Sequence, residues 1–141
     1  MKYMKSNQLI EGKSMTGNDA SHLTVTYWDS GSETTLTYAI SGDIARELNQ
    51  HAQKPTGKDL SAWLQSKGCR LDSSDGPAWV RRWDDGVREE YYRDGRLHRE
   101  GGPALITRNS KGLTTEKAYF RDGRFIKRKV PGKLATFFHL G

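Results

Sequence analysis

Two blocks of this 141-residue chain occur twice, in the same order. Asp75-Gly76-Pro77-Ala78-Trp79-Val80 returns as Gly101-Gly102-Pro103-Ala104-Leu105-Ile106, and Tyr91-Tyr92-Arg93-Asp94-Gly95-Arg96 returns as Tyr119-Phe120-Arg121-Asp122-Gly123-Arg124. The first offset is 26 residues and the second 28, so the second copy carries two extra residues after Gly112. A unit this short cannot bury an apolar face alone, and its copies must stack.

The residues of one unit predict antiparallel strands. Gly-Pro ahead of an apolar pair starts a strand, because proline has no N–H to give to a ladder. Asp85-Gly86 and Asp94-Gly95 are two-residue hairpin signals, glycine accepting positive φ without steric cost. Aromatic side chains between those turns supply the buried face. A third copy is suggested at the N-terminal side, where Val25-x-x-Trp28-Asp29-x-Gly31 repeats the spacing of Val80-x-x-Trp83-Asp84-x-Gly86. Tyr38 also precedes Gly42 by four residues, as Tyr91 precedes Gly95. The alternative is an ordinary hydrophobic hairpin that resembles the repeat by chance.

Ahead of the repeats, Leu23, Val25 and Tyr27 alternate with threonines, and Leu36 and Tyr38 continue the pattern beyond Asp29-Ser30-Gly31. This predicts a hairpin over 21–42. Two short helices follow within 43–68. Ile44, Leu48 and Ala52 fall four apart, with Ser41 or Asp43 as N-cap. Leu60, Trp63 and Leu64 form the stripe of the second helix, over about 58–67, with Thr56 and Asp59 at capping-box spacing and Gly68 as its stop. The expected class is therefore α+β: antiparallel hairpin repeats (75–128) forming a twisted sheet with two short helices packed on it. Residues 1–20 show no period and read as a loosely held, dispensable leader. Residues 129–141 read as a basic and apolar tail that docks on the core of a single 21–141 domain.

Charge is divided unevenly. Residues 76–141 hold fifteen Lys/Arg against eight Asp/Glu, whereas 1–75 hold eight against nine. Such asymmetry points to an acidic or nucleic-acid partner for the basic half. No run approaches the ~18 apolar residues of a membrane span and no secretory pattern opens the chain, so a cytoplasmic location and no membrane partner are expected. The single Cys69 excludes an internal disulfide.

Tyr91-Tyr92-Arg93-Asp94-Gly95-Arg96-Leu97 resembles the Y-Y-x-x-G-x-L core of MORN-variant repeats. Leu97-His98-Arg99-Glu100-Gly101-Gly102-Pro103-Ala104 is similar to the L-H-R-E-D-G-P-A repeat of small bacterial and phage proteins. Phe125-Ile126-Lys127-Arg128 departs from that pattern, so the chain from Gly123 onward resembles a terminating half-repeat. The resemblance spans about 75–128 and implies antitoxin, immunity or phage-accessory roles that work by partner binding.

No constellation points to catalysis. His98, between Leu97 and Arg99, is expected beside a turn where it hydrogen-bonds backbone. His22, His51 and His139 lack paired metal-ligand spacing. Cys69 is expected as a buried thiol, although Arg70 beside it would lower its pKa. Neither a metal nor a cofactor is expected. What remains is a surface of Arg81, Arg82, Trp83, Arg93, Arg96, His98, Arg99, Arg121, Arg124, Lys127, Arg128 and Lys129. Arg81 and Arg93 are expected to share a mixed face with Trp79, Trp83 and Tyr91, residue types enriched in binding hot spots and in single-strand nucleic-acid sites. The expected function is a non-catalytic, monomeric binding protein. Its leading form is a phage- or mobile-element-encoded inhibitor that blocks a bacterial defence complex, such as a CRISPR effector, by stoichiometric binding to a protein or ribonucleoprotein. An antitoxin or immunity protein and a direct nucleic-acid binder are the alternatives.

Overall fold

The computed structural model describes residues 8–10 and 21–130. In chain order these form β1 (Gln8–Ile10), β2 (Ser21–Asp29), β3 (Ser32–Ile40), α1 (Gly42–Asn49), α2 (Gly57–Ser66), β4 (Arg70–Leu71), β5 (Trp79–Trp83) and β6 (Gly86–Glu90). Then come β7 (Tyr92–Arg93), β8 (Arg96–Leu97), β9 (Leu105–Asn109), β10 (Thr114–Arg121) and β11 (Arg124–Lys129). The class is α+β, as the sequence predicts. The main sheet runs β1-β2-β3-β5-β6-β9-β10-β11, with β4 joining β3 beside β5, and β7-β8 is a separate two-stranded hairpin. Every pairing is antiparallel.

Residues 8–10, assigned to the leader from sequence, instead pair with β2 as an edge strand. Three residues are too few to carry a period, so only their partner strand reveals them. The remainder of the leader, and the tail beyond 130, lie outside the described residues.

The core lies where α2 covers β2 and β3. Leu23, Val25, Leu36, Tyr38 and Ile40 meet Leu60 and Leu64, with Ile44, Leu48, Trp63, Leu71 and Trp79 packed around them. The alternation read in β2 and β3 thus selects the buried face. On the other face, Thr24 and Thr26 hydrogen-bond Thr37 and Thr35 across the hairpin. Tyr38 carries a hydroxyl into this core, where it hydrogen-bonds Ser61 and accepts from Gln65.

Ser41 caps α1 by accepting the Ile44 N–H at 3.2 Å. Ala52 falls beyond that helix and is exposed, which shortens the stripe read from sequence. Thr56 is the N-cap residue of α2 but its side chain makes no capping bond, so the capping box does not form. The C-terminal stop does form. Gly68, at φ 83°, donates to Gln65 C=O, and Cys69 donates to Leu64 C=O, the paired bonds of a Schellman motif.

Each Gly-Pro-Ala segment hands the chain into the sheet. Ala78 donates to Glu90 C=O and accepts from Thr37 N–H; Ala104 donates to Ala118 C=O and accepts from Tyr91 N–H. Both alanines are fully buried, and β5 and β9 begin immediately after them. The proline ahead of each lacks the N–H that would otherwise be left without a ladder partner.

A second set of bonds ties one unit to the next and extends the repeat further upstream than the matched blocks. Gly95 N–H donates to Leu71 C=O and Gly123 N–H to Leu97 C=O. Asp94 N–H donates to the Asp72 carboxylate at 2.8 Å, and Asp122 N–H to His98 Nδ1 at 2.9 Å. Ser73 and Arg99 donate to Tyr92 and Phe120 carbonyls. Arg70-Leu71-Asp72 is therefore the counterpart of Arg96-Leu97-His98, and the unit starts at Arg70 rather than Asp75.

The β2–β3 hairpin is not a third copy of this unit. Its turn falls on Ser30-Gly31, one position later than the β5–β6 turn at the matched residues, and Gly42 opens α1 instead of a second hairpin. The β5–β6 turn is made by Asp84-Asp85, one residue before the Asp85-Gly86 expected from sequence, and Gly86 pairs with Trp83. Gly86 is needed for close approach: a Cβ there would sit 2.0 Å from Arg108 O on β9.

Candidate functional site

The β10–β11 hairpin closes the sheet at its C-terminal side. Asp122-Gly123, at φ 50° and 83°, forms the two-residue turn whose twist matches paired strands. Lys117 stands opposite Lys129, Tyr119 opposite Lys127, and Arg121 opposite Arg124. A register shift beyond Tyr119 leaves Ile126 without a partner.

The register decides which way these side chains face. Leu36, Trp79, Glu90, Leu105, Ala118 and Arg128 are successive cross-strand partners, and Leu36 belongs to the core beneath α2. Directly opposed residues share a face and neighbours along a strand alternate. Lys117, Tyr119, Arg121, Arg124, Lys127 and Lys129 therefore lie on the face opposite the helices.

That face carries five cations around one aromatic ring. The ammonium groups of Lys127 and Lys129 lie 4.9 Å and 5.7 Å from the centroid of Tyr119. Such contacts hold a cation over a ring face. The two acidic groups of the hairpin are directed elsewhere. Glu116 pairs with Arg128 at 2.9 Å, on the helix-bearing face. Asp122 pairs with Arg93 at 2.9 Å, and this guanidinium holds its carboxyl below the usual carboxylate range. None of the five cations forms an ion pair with another described residue. Like charges set directly opposite on adjacent strands cost free energy. The hairpin accepts that cost twice, at Lys117/Lys129 and at Arg121/Arg124.

The other residues singled out from sequence divide into two groups. Arg82 and Trp83 are exposed at the far end of β5, four strand spacings from β11, or about 19 Å. Arg81 shares the helix-bearing face with Trp79 and Trp83 and donates to Ser32 Oγ at 3.2 Å. Arg93 does not join that face as expected. It lies on β7, outside the main sheet, and bridges Glu100 and Asp122.

Arg96, Arg99, His98 and Arg128 serve the fold. Arg96 lies along Gly123 of the next hairpin, leaving no more than contact distance for a side chain there. Arg99 stacks on Tyr91 at 3.9 Å and donates to Pro103 C=O. His98 is 7% exposed, so it leaves the partner-binding set. Its Nδ1 accepts from Asp122 N–H, which places the proton of the neutral ring on Nε2, 3.4 Å from Glu100. The expected backbone hydrogen bond is thus present. Arg128 is taken by Glu116 on the opposite face.

The sequence pattern does not single out Lys117 and Tyr119 as binding residues. Their signal was the alternation Lys117-x-Tyr119-x-Arg121, but Tyr119 reads equally well as the core counterpart of Tyr91. Only the register puts it outward.

A shallow cleft of about 410 Å³ lies between α2 and the β7–β8 hairpin, lined by Gln65, Cys69, Arg70, Leu71, Asp94 and Arg96. Burial pushes the Cys69 thiol up, away from the reactive thiolate. Arg70 is turned to Asp94, 3.7 Å away. Among the described residues no group of three His, Cys, Asp or Glu is placed to hold a metal, and no helix is long and apolar enough to cross a membrane.

Against this geometry stand the comparisons with known proteins: no family model, no curated protein and no solved structure matches the chain.

Proposed function

We propose that this protein acts by occupancy rather than turnover, as a non-catalytic binding protein whose contact surface is the cationic face of β10 and β11. The observation that carries this reading is a single hairpin face with five cations, two of its three opposed pairs being like-charged, and both hairpin carboxylates tied elsewhere. A binding partner that supplies negative charge offsets the repulsion built into the free protein.

In the setting that the repeat resemblance implies, the protein is a phage or mobile-element product that blocks a bacterial defence complex stoichiometrically. A blocker can imitate nucleic acid with an acidic surface, or it can engage anionic groups with a basic one. The net charge of +6 favours the second. The protein works as a monomer, because four basic residues in the six of β11 repel a second copy at that edge.

The test is affinity capture from bacterial lysate, with and without nuclease, using wild type beside a Lys117→Glu/Lys127→Glu/Lys129→Glu variant with an unchanged melting temperature. Retention of a stoichiometric partner by wild type and its loss from the variant is the expected result. Equal retention by both proteins overturns the assignment of the surface.

A further inference from the structure

We propose that the cationic face of β10 and β11 takes single-stranded nucleic acid, phosphates lying on Lys117, Arg121, Arg124, Lys127 and Lys129 and a base on Tyr119. This rests on the reading above that the face is a polyanion contact, and it names the polyanion.

Three observations separate a single strand from other anions. First, an aromatic ring stands in the middle of the cations rather than at their rim, Tyr119 being flanked along β10 by Lys117 and Arg121 and opposed by Lys127. Purely ionic recognition has no use for a ring there. Unpaired bases do, because every base has a π-face and stacking tolerates any sequence. Lys127 and Lys129, 4.9 Å and 5.7 Å from the ring centroid, are close enough to move from the ring to the phosphates beside a stacked base.

Second, the hairpin exposes apolar surface next to its charges: Ile126, left without a cross-strand partner by the register shift and adjacent to Lys127, is 50% exposed. A duplex hides its bases and offers sugar and phosphate at its outer surface. Splayed bases of a single strand give this side chain an apolar counterpart.

Third, the hairpin cannot enter a duplex groove as a free ribbon. A two-stranded ribbon fits the major groove, but β10 is bonded to β9 along its other edge. Its turn is also held to the preceding unit through Gly123 to Leu97, Asp122 to His98 and Asp122 to Arg93. What is offered is the end of a broad sheet face, about 14 Å from Lys117 to Arg121.

The experiment is fluorescence anisotropy of the full chain with a labelled oligothymidylate of about 15 nucleotides, competed by a duplex of equal length and by polyglutamate. Binding of the oligothymidylate is expected, tighter than either competitor and weakened about 20- to 130-fold between 50 and 200 mM salt. That range corresponds to about three to five phosphate contacts at the single-strand slope. Tyr119→Leu is expected to weaken binding about 5- to 150-fold with an unchanged salt slope, while Tyr119→Phe keeps affinity. Lys127→Gln should lower the slope by about 0.7.

Duplex binding as tight as the single strand, or no effect of Tyr119→Leu, overturns the single-strand inference but leaves the occupancy reading standing. Preference for polyglutamate overturns it in favour of an acidic protein partner. Absence of binding to all three polyanions defeats both the inference and the surface assignment beneath it.

Discussion

His98 Nδ1 accepts the backbone N–H of Asp122 at 2.9 Å, joining the turn of one hairpin to the unit before it. The carboxylate of Asp72 makes the same bond to Asp94 N–H one unit earlier. The two side chains differ in chemistry but share an acceptor at the same place. The repeat conserves a bond between its units more strictly than it conserves the residue that makes it.

Removing that acceptor tests its contribution. His98→Ala leaves the Asp122 N–H without its partner and should cost about 1–3 kcal/mol, read as a lower denaturant midpoint. His98→Asn, which returns an acceptor, should recover part of the loss.

Gly86 and Gly112 should respond differently to alanine. A Cβ at Gly86 meets Arg108 O at 2.0 Å, in the backbone of a central strand, so Gly86→Ala should be severely destabilising or prevent folding. Gly112, at φ 83°, has nothing within 4 Å of an added Cβ. Gly112→Ala should therefore cost only the left-handed backbone penalty, about 1–2 kcal/mol. Equal melting temperatures for the two variants would contradict the close approach of β6 and β9.

Tyr92 should make stability fall in alkali. Burial, then its hydrogen bond to Glu90, pushes the phenol well above its ordinary value. The folded state thus holds its proton where the unfolded chain, titrating at about 10, has lost it. The stabilisation is fully present below pH 10 and declines as pH rises toward the folded-state value. Denaturant midpoints between pH 9 and 11 should show this decline, and it should be smaller in Tyr92→Phe.

Lys129→Glu should separate binding from stability. It replaces the repulsive pair with Lys117 by an attractive one across the same register position. The variant should be about 0.2–1 kcal/mol more stable than wild type by thermal or denaturant melting, while losing affinity for its partner. A variant that loses stability would show that Lys129 has a role in holding the hairpin.

The class and most of the local structure are legible in short stretches of the sequence. Alternation in β2 and β3, the stripe Leu60-Trp63-Leu64, the Gly68 stop and the Gly-Pro-Ala strand starts are all short-range patterns. Their physical causes, side-chain direction and backbone freedom, act within a few residues. Ala52 and the Thr56 cap failed at helix ends, where packing rather than propensity sets the boundary.

Which repeated residues face outward is set by long-range strand pairing. Arg93, Arg99, Arg121 and Lys127 belong to one chemical pool in the sequence, yet the first two clamp loops and the last two join the cationic face. That division depends on the register of β10 against β9 and β11. A slip of one residue exchanges the two faces of a strand. The unit's true start at Arg70 also escaped local reading, because its signature is a set of bonds to residues 19 to 24 positions away. Residue type could announce a basic repeat, but long-range pairing alone could place Tyr119 among five cations and bury His98.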